Sequence, residues 1–190
     1  PGLGEGMVEA SALSRLGRLP EALEAYRNHI AAQPDDDGGH FGLATALLAL
    51  GDYAWGFAEY EWRRGRKDFI ASPTDVPIWR GEPMLGGSIL LIHEQGLGDS
   101  IQFCRYAPLL APTAKVIVHV PKELQRLLRS LPDVQIETFE KDQRIGRVDA
   151  QCPMLSLPLL FGTQVGSIPS KVPYLFANPT EIDAWRRRLG

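Results

Sequence analysis

The chain has 190 residues, a formal net charge of −3, 44% hydrophobic and 23% charged residues, enough length for one large domain or two small ones. That slight acidity excludes the electrostatic footprint of a nucleic-acid binder. Its two cysteines, Cys104 and Cys152, lie outside any zinc or redox spacing, so the expectation is a protein of the reducing cytoplasm without a disulfide framework. The apolar run over residues 41–50 is too short and too interrupted to span a bilayer, and no signal-peptide pattern opens the chain.

Residues 1–67 read as helix pairs. Displacing the sequence by about 34 residues places Gly17 on Gly51, Ala22 on Gly56, Tyr26 on Tyr60 and Ala10 on Ala44, the positions where a tetratricopeptide repeat needs small residues and a groove-filling aromatic. The expected helices cover 5–16, 20–32, 40–50 and 53–66. Pro20 suits a first helical turn, Asp52 suits an N-cap, and Pro34 falls where the second helix stops. Such repeats ordinarily need about three copies for stability, so either the α/β half caps the stack or further residues precede Pro1, and the expectation is a segment of a longer protein. Asp35-Asp36-Asp37 contains a D-x-D pattern used by metal-dependent sugar transferases, but its place between repeats reads as a solvated turn. Arg63, Arg64, Arg66 and Lys67 close the last helix, where positive charge complements the helix dipole.

Residues 68–87, with Pro73, Pro77, Pro83 and Gly86-Gly87, read as a linker that Trp79 pins to a domain. The pattern then alternates. Strands are expected at 88–93, 115–120, 134–139 and 149–152, with helices at 99–110, 122–130 and from 156 to 161. This alternation argues for a parallel sheet with crossover helices, a Rossmann-like α/β domain over 88–178. A last helix over 179–190 is expected to be capped by Thr180.

Glu94-Gln95-Gly96-Leu97-Gly98-Asp99 joins the first strand of this domain to its helix, the place where open α/β sheets build ligand sites. Glycines there permit close backbone approach, and helix N–H groups can meet an anion or a hydroxyl. A dinucleotide fingerprint fails, because Ile101 stands where a third glycine belongs and Val120-Pro121 end the second strand without an acid; the P-loop Lys-Ser/Thr pair is absent too. Asp99 carries two open readings, a helix cap or a general base taking a proton from an attacking hydroxyl. Gln102, Arg105 and Tyr106 follow it along one helix face. Glu94 either holds a sugar hydroxyl or faces water, Ser156 reads as a helix cap, and His93 reads as a hydrogen-bonded residue rather than a catalyst. Neither a metal-ligand pair of histidines nor a Ser/His/Asp set is suggested by placement.

On Tyr60-Glu61-Trp62-Arg63, Trp79-Arg80-Gly81-Glu82, the block from Glu94 to Phe103, the run from Cys152 to Pro158 and Val172-Pro173-Tyr174-Leu175, the chain resembles bacterial proteins in which tetratricopeptide repeats precede a GT-B glycosyltransferase domain related to heptosyltransferases. The resemblance implies transfer of a sugar from a nucleotide sugar to a glycan, lipid or protein acceptor, without an obligatory metal or other cofactor. It implies Asp99 as catalytic base and Glu94, Gln95, Gly96, Gly98, Gln102, Arg105 and Ser156 as candidate substrate-binding residues. Donor binding in that family falls to a second Rossmann-like lobe, so the 190 residues alone are expected to lack turnover. The competing expectation is a protein-interaction module, with the repeats holding a partner peptide.

Overall fold

A computed structural model describes residues 5–67, 69, 75–138 and 146–190. Residues 1–4, Asp68 and Pro73 of the expected linker, and Phe139 at the end of the expected third strand, lie outside the described residues. The chain divides into two compact units, Pro1–Phe69 with Pro158–Ile168, and Ile70–Leu157 with Pro169–Gly190.

In the helical unit, α1 (Glu5–Arg15) pairs with α2 (Leu19–Ala32), α3 (Asp37–Ala49) pairs with α4 (Tyr53–Tyr60), and α2 packs on α3. Residues 34 positions apart do matching work. Gly17 and Gly51 follow the first helix of each pair with φ of 74° and 84°, left-handed values that glycine adopts without strain. Ala10 and Ala44 are both fully buried, and Ala22 and Gly56 both sit at close helix contacts. The core gathers Ala10, Ala22, Tyr26, Leu43, Ala46 and Leu47. Tyr26 fits because Gly42 has no side chain: a Cβ there would lie 2.3 Å from the tyrosine ring.

Side-chain caps set the helix starts. Asp36 accepts the N–H groups of Gly38 and Gly39 at the start of α3, and Asp52 accepts that of Trp55 in α4. Asp36 also lies 2.6 Å from Nε2 of His29, so the middle of the D-x-D run is tied into the fold. That hydrogen bond, ahead of the two backbone ones, holds its carboxyl below the usual value. His40 on α3 stacks on Trp62 at 3.8 Å, with Nδ1 2.6 Å from Glu59 and Nε2 2.8 Å from the Pro34 carbonyl. The helix expected over 53–66 instead tightens after Tyr60 into a 3-10 turn, Glu61–Gly65. Arg63 explains the change: it is 1% exposed and donates to the Tyr60 carbonyl and the Glu61 carboxylate, drawing the last turn inward.

The second unit holds four parallel strands, β1 (Gly87–Ile92), β2 (Ala114–His119), β3 (Val134–Glu137) and β4 (Ala150–Pro153), in the order β3-β2-β1-β4. Ile89, Leu90 and Leu91 of β1 are fully buried, as a central parallel strand covered on both faces requires. The helices of this unit are α5 (Leu97–Phe103), α6 (Ala107–Leu110), α7 (Lys122–Leu128) and α9 (Pro179–Leu189), while α8 (Leu157–Leu160), which follows β4, falls from Pro158 onward in the first unit. The single helix expected over 99–110 thus starts two residues early and breaks at a 3-10 turn, Cys104–Tyr106. Pro108 accounts for the break, since its ring and missing N–H disrupt the helical ladder. Asn178, rather than Thr180, caps α9 by accepting the Thr180 N–H.

Part of the expected linker joins the sheet. Ile78 bridges to Gln151 of β4 in parallel, the Trp79 N–H donates to the Gln151 carbonyl, and the Trp79 indole donates to the Glu82 carbonyl. The chain from Val76 to Trp79 therefore extends the sheet beyond β4.

Gly42→Ala should lower the stability of the helical unit by about 1–3 kcal/mol, the usual cost of overpacking, read as a lower urea midpoint by circular dichroism. Gly6→Ala, whose added Cβ would meet His29 at an ordinary 3.9 Å, should hold or raise the midpoint. Equal midpoints for the two variants would contradict the contact between Tyr26 and α3.

Candidate functional site

In the strand order β3-β2-β1-β4 the chain runs outward from β1 through β3, then returns to the other side of β1. The order reverses between β1 and β4, and open α/β sheets bind ligands at the carboxyl ends of the two strands flanking such a reversal. Here those ends lead into residues 93–96 before α5 and into the 3-10 turn Met154–Ser156 before α8.

Glu94 connects the two loops. Its side chain is 2% exposed and its Oε1 accepts the Leu155 backbone N–H at 2.8 Å. Of the two readings open from sequence, the structure gives neither a water-facing group nor an open sugar ligand but a buried link between loops. Ser156 stands beside Leu155, 4% exposed, as the last residue of the 3-10 turn and the one directly before α8. Gln95 is half-buried, and Gly96 and Gly98 lie exposed on the rim.

Asp99 occupies the third position of α5. Its Oδ2 accepts the Gly96 N–H at 2.9 Å, closing the loop on itself. The residue is only half-buried, and Oδ1 has no hydrogen-bond partner among the described residues. One oxygen shapes the loop while the other is uncommitted among the described residues, so the capping and base readings are compatible in a single side chain.

The structure adds a pairing that residue placement did not suggest. Nδ1 of His93, at the end of β1, lies 2.6 Å from Oγ of Ser100, which is 1% exposed on α5. Burial pushes the His93 imidazole below its usual value, outweighing the upward pull of Asp99 and Glu94. His119 ends β2, and its carbonyl accepts the His93 N–H. Burial pushes its ring down too, and His93 adds to the shift. The spacing from His93 to Ser100 would have found the pair only with the loop geometry in hand, because residues seven apart meet across a turn only when that turn folds back.

The remaining candidates separate from this rim. Gln102 is exposed on α5. Arg105 reaches instead toward the 169–174 segment, donating to the Pro169 carbonyl at 3.0 Å and stacking over Tyr174 at 4.3 Å, while Tyr174 donates to the Ile101 carbonyl. Cys104 and Cys152 are buried and form no disulfide, and burial pushes the Cys104 thiol up to about 12, which leaves it no thiolate for nucleophilic chemistry. Among the described residues no cluster of His, Cys, Asp or Glu has the arrangement of a metal site, and no helix is long and apolar enough to cross a membrane.

The two rim histidines give the unit a pH dependence of definite sign. A histidine pushed below 6.5 on folding takes up its proton more readily in the unfolded chain, so its stabilising contribution is complete above pH 6.5 and declines as pH falls through the lowered folded value. The urea midpoint of the α/β unit should therefore drop between pH 7.5 and pH 5, and His93→Gln combined with His119→Gln should flatten that drop. A midpoint that rises on acidification would contradict the burial of the two rings.

The chain is 27% identical over 203 residues to Protein FlbA of Caulobacter vibrioides (strain ATCC 19089 / CIP 103742 / CB 15), an alignment covering 92% of this chain and 33% of that protein. The chain thus spans about a third of the length of this relative. No family model and no solved structure matches the chain.

Proposed function

We propose that the chain is the repeat-bearing, acceptor-side part of a GT-B type glycosyltransferase related to the heptosyltransferases. On this reading the helical unit is a pair of tetratricopeptide repeats, supported by the matching of Gly17 with Gly51, Ala10 with Ala44 and Ala22 with Gly56. The α/β unit is the acceptor lobe, supported by its parallel sheet and by a glycine-rich loop at the strand-order reversal. One observation carries the reading: Asp99, in the loop at the carboxyl end of β1, holds that loop with one carboxylate oxygen while the other has no hydrogen-bond partner among the described residues.

The chemistry follows from that placement. The acceptor hydroxyl gives its proton to the free oxygen of Asp99 as its own oxygen attacks the anomeric carbon of the donor sugar. The bond from that carbon to the nucleotide's phosphate oxygen breaks, and the leaving nucleotide keeps the electron pair. A donor lobe, which the 190 residues do not supply on this reading, holds that nucleotide.

Asp99→Asn in the longer protein should leave folding intact and lower sugar transfer by about 100-fold or more, measured with labelled nucleotide sugars. Transfer within a few-fold of the unaltered protein would return Asp99 to its structural role alone. The second reading, a protein-interaction module, draws on an open groove of about 640 Å³ along α1 and α2, lined by Gly6, Glu9, Leu13, Glu24 and Asn28 among others. A single partner recovered through the helical unit, with no nucleotide sugar shifting the melting of the longer protein, would favour it.

A further inference from the structure

His29 lines the groove of about 640 Å³ between α1 and α2, and its ring is held in one direction there. The side chain is 5% exposed, and Nε2 lies 2.6 Å from Oδ2 of Asp36. The Asp36 carboxyl group also accepts the Gly38 and Gly39 N–H groups and is held below its usual value, so it acts as an acceptor and Nε2 donates to it. In the uncharged ring the lone pair is then on Nδ1. A Cβ on Gly39 would lie 2.8 Å from Cδ2 of the ring, whereas one on Gly6, on the α1 wall of the groove, would lie 3.9 Å from Nδ1. The ring is wedged against α3 with its Nδ1 edge toward the groove. Nδ1 has no hydrogen-bond partner among the described residues, and it is not among the polar atoms sealed from solvent.

The groove around this nitrogen is acidic. Glu9 follows Gly6 on the next turn of α1, and Glu24 lies on α2 on the order of 7 Å from His29 along the helix axis. Both are exposed, and neither is in an ion pair among the described residues. Glu21, in contrast, is already paired with Arg18. Ala25, one turn from His29, and Leu13 on the opposite wall supply apolar surface between the polar groups. No set of three metal-ligating side chains gathers there among the described residues, so the fitting cation is an organic one that brings N–H donors. The groove also has the size of a small-molecule site.

We propose that the groove between α1 and α2 is a binding site for an aliphatic diamine or polyamine, with one ammonium held between Nδ1 of His29 and the Glu9 carboxylate and the next held at Glu24. The first ammonium donates one N–H to the His29 lone pair and another to Glu9. The carbon chain lies over Ala25. Asp36 is a positioning residue, because its hold on Nε2 is what turns the lone pair of Nδ1 to the groove. A monoamine meets only one end of this arrangement, and a diol of the same length brings no charge to it. The site lies in the helical unit and rests on nothing at Asp99. It gives the groove a small cation as its occupant in place of the partner peptide of the second reading above.

The test uses the 190-residue chain with nitrogen-15-labelled histidine. Two-bond proton–nitrogen spectra should show His29 with its proton on Nε2 and a lone pair on Nδ1. Titration with cadaverine or spermidine should shift the Nδ1 resonance saturably, with 1-aminopentane at least fivefold weaker and 1,5-pentanediol without effect. Glu9→Gln combined with Glu24→Gln, both at exposed positions, should weaken cadaverine or spermidine binding at least tenfold while the urea midpoint holds. Glu123→Gln on α7, an exposed acid of the other unit, should leave it unchanged, which separates the site from a general attraction of cations to an acidic chain. A His29 ring protonated on Nδ1, no response to either amine, a diol response equal to theirs, or binding indifferent to the loss of Glu9 and Glu24 would overturn the proposal. So would a trilysine peptide that binds where the free amines do not, a result that returns the groove to a protein partner. Sugar transfer by the longer protein is decided separately by Asp99→Asn, so either reading can fail while the other stands.

Discussion

The link from Glu94 to the Leu155 N–H is the constraint on which the site depends. It joins the loop after β1 to the turn after β4, the two segments that flank the strand-order reversal. A carboxyl group in a site that is 2% exposed must have its oxygens met by donors, and a backbone N–H of the neighbouring loop meets one of them. Because Glu94 is fixed, the loop that follows has a fixed exit, and the short turn through Gly96 can close on Asp99. The closure engages one oxygen of Asp99 and leaves Gly96 and Gly98 exposed.

The helical unit depends on a different constraint, the absence of side chains. Gly42 admits the ring of Tyr26, and Gly56 lies where a Cβ would meet Leu48 at 2.8 Å. Small residues at such points bring helices close enough for dense packing, and the aromatic fills the volume that remains. Polar ties then fix the junction between the hairpins: His29 with Asp36, and His40 with Glu59, Pro34 and Trp62. Arg63 buries its guanidinium in the same unit, so part of the basic run at the end of α4 is interior structure rather than a solvated face.

Much of this was legible in the sequence because it rests on local chemistry. The β-branched runs that became β1 and β2, the glycine loop between β1 and α5, the cap at Asp52 and the shared roles of Gly17 and Gly51 all follow from backbone preference and spacing. What stayed hidden depends on contacts between distant residues. Nothing in the word Glu-Gln-Gly says that Glu94 reaches the backbone 61 residues later, and a water-facing acid would be written the same way. Arg105 belongs by spacing to the polar face of α5, yet the 3-10 turn at Cys104–Tyr106 and the carbonyl of Pro169 take it elsewhere. The meeting of His93 with Ser100 required both the exit angle of the loop and the register of α5.

Amide hydrogen exchange at Leu155 tests the central constraint most directly. The account predicts a strongly protected Leu155 N–H in the unaltered chain, and in Glu94→Ala an exchange at least tenfold faster that spreads to the amides of residues 95–99 while the β1 amides stay protected. A Leu155 amide that exchanges as fast as an unstructured peptide, or one indifferent to the loss of Glu94, would contradict the claim that this single carboxyl group holds the site's two loops together.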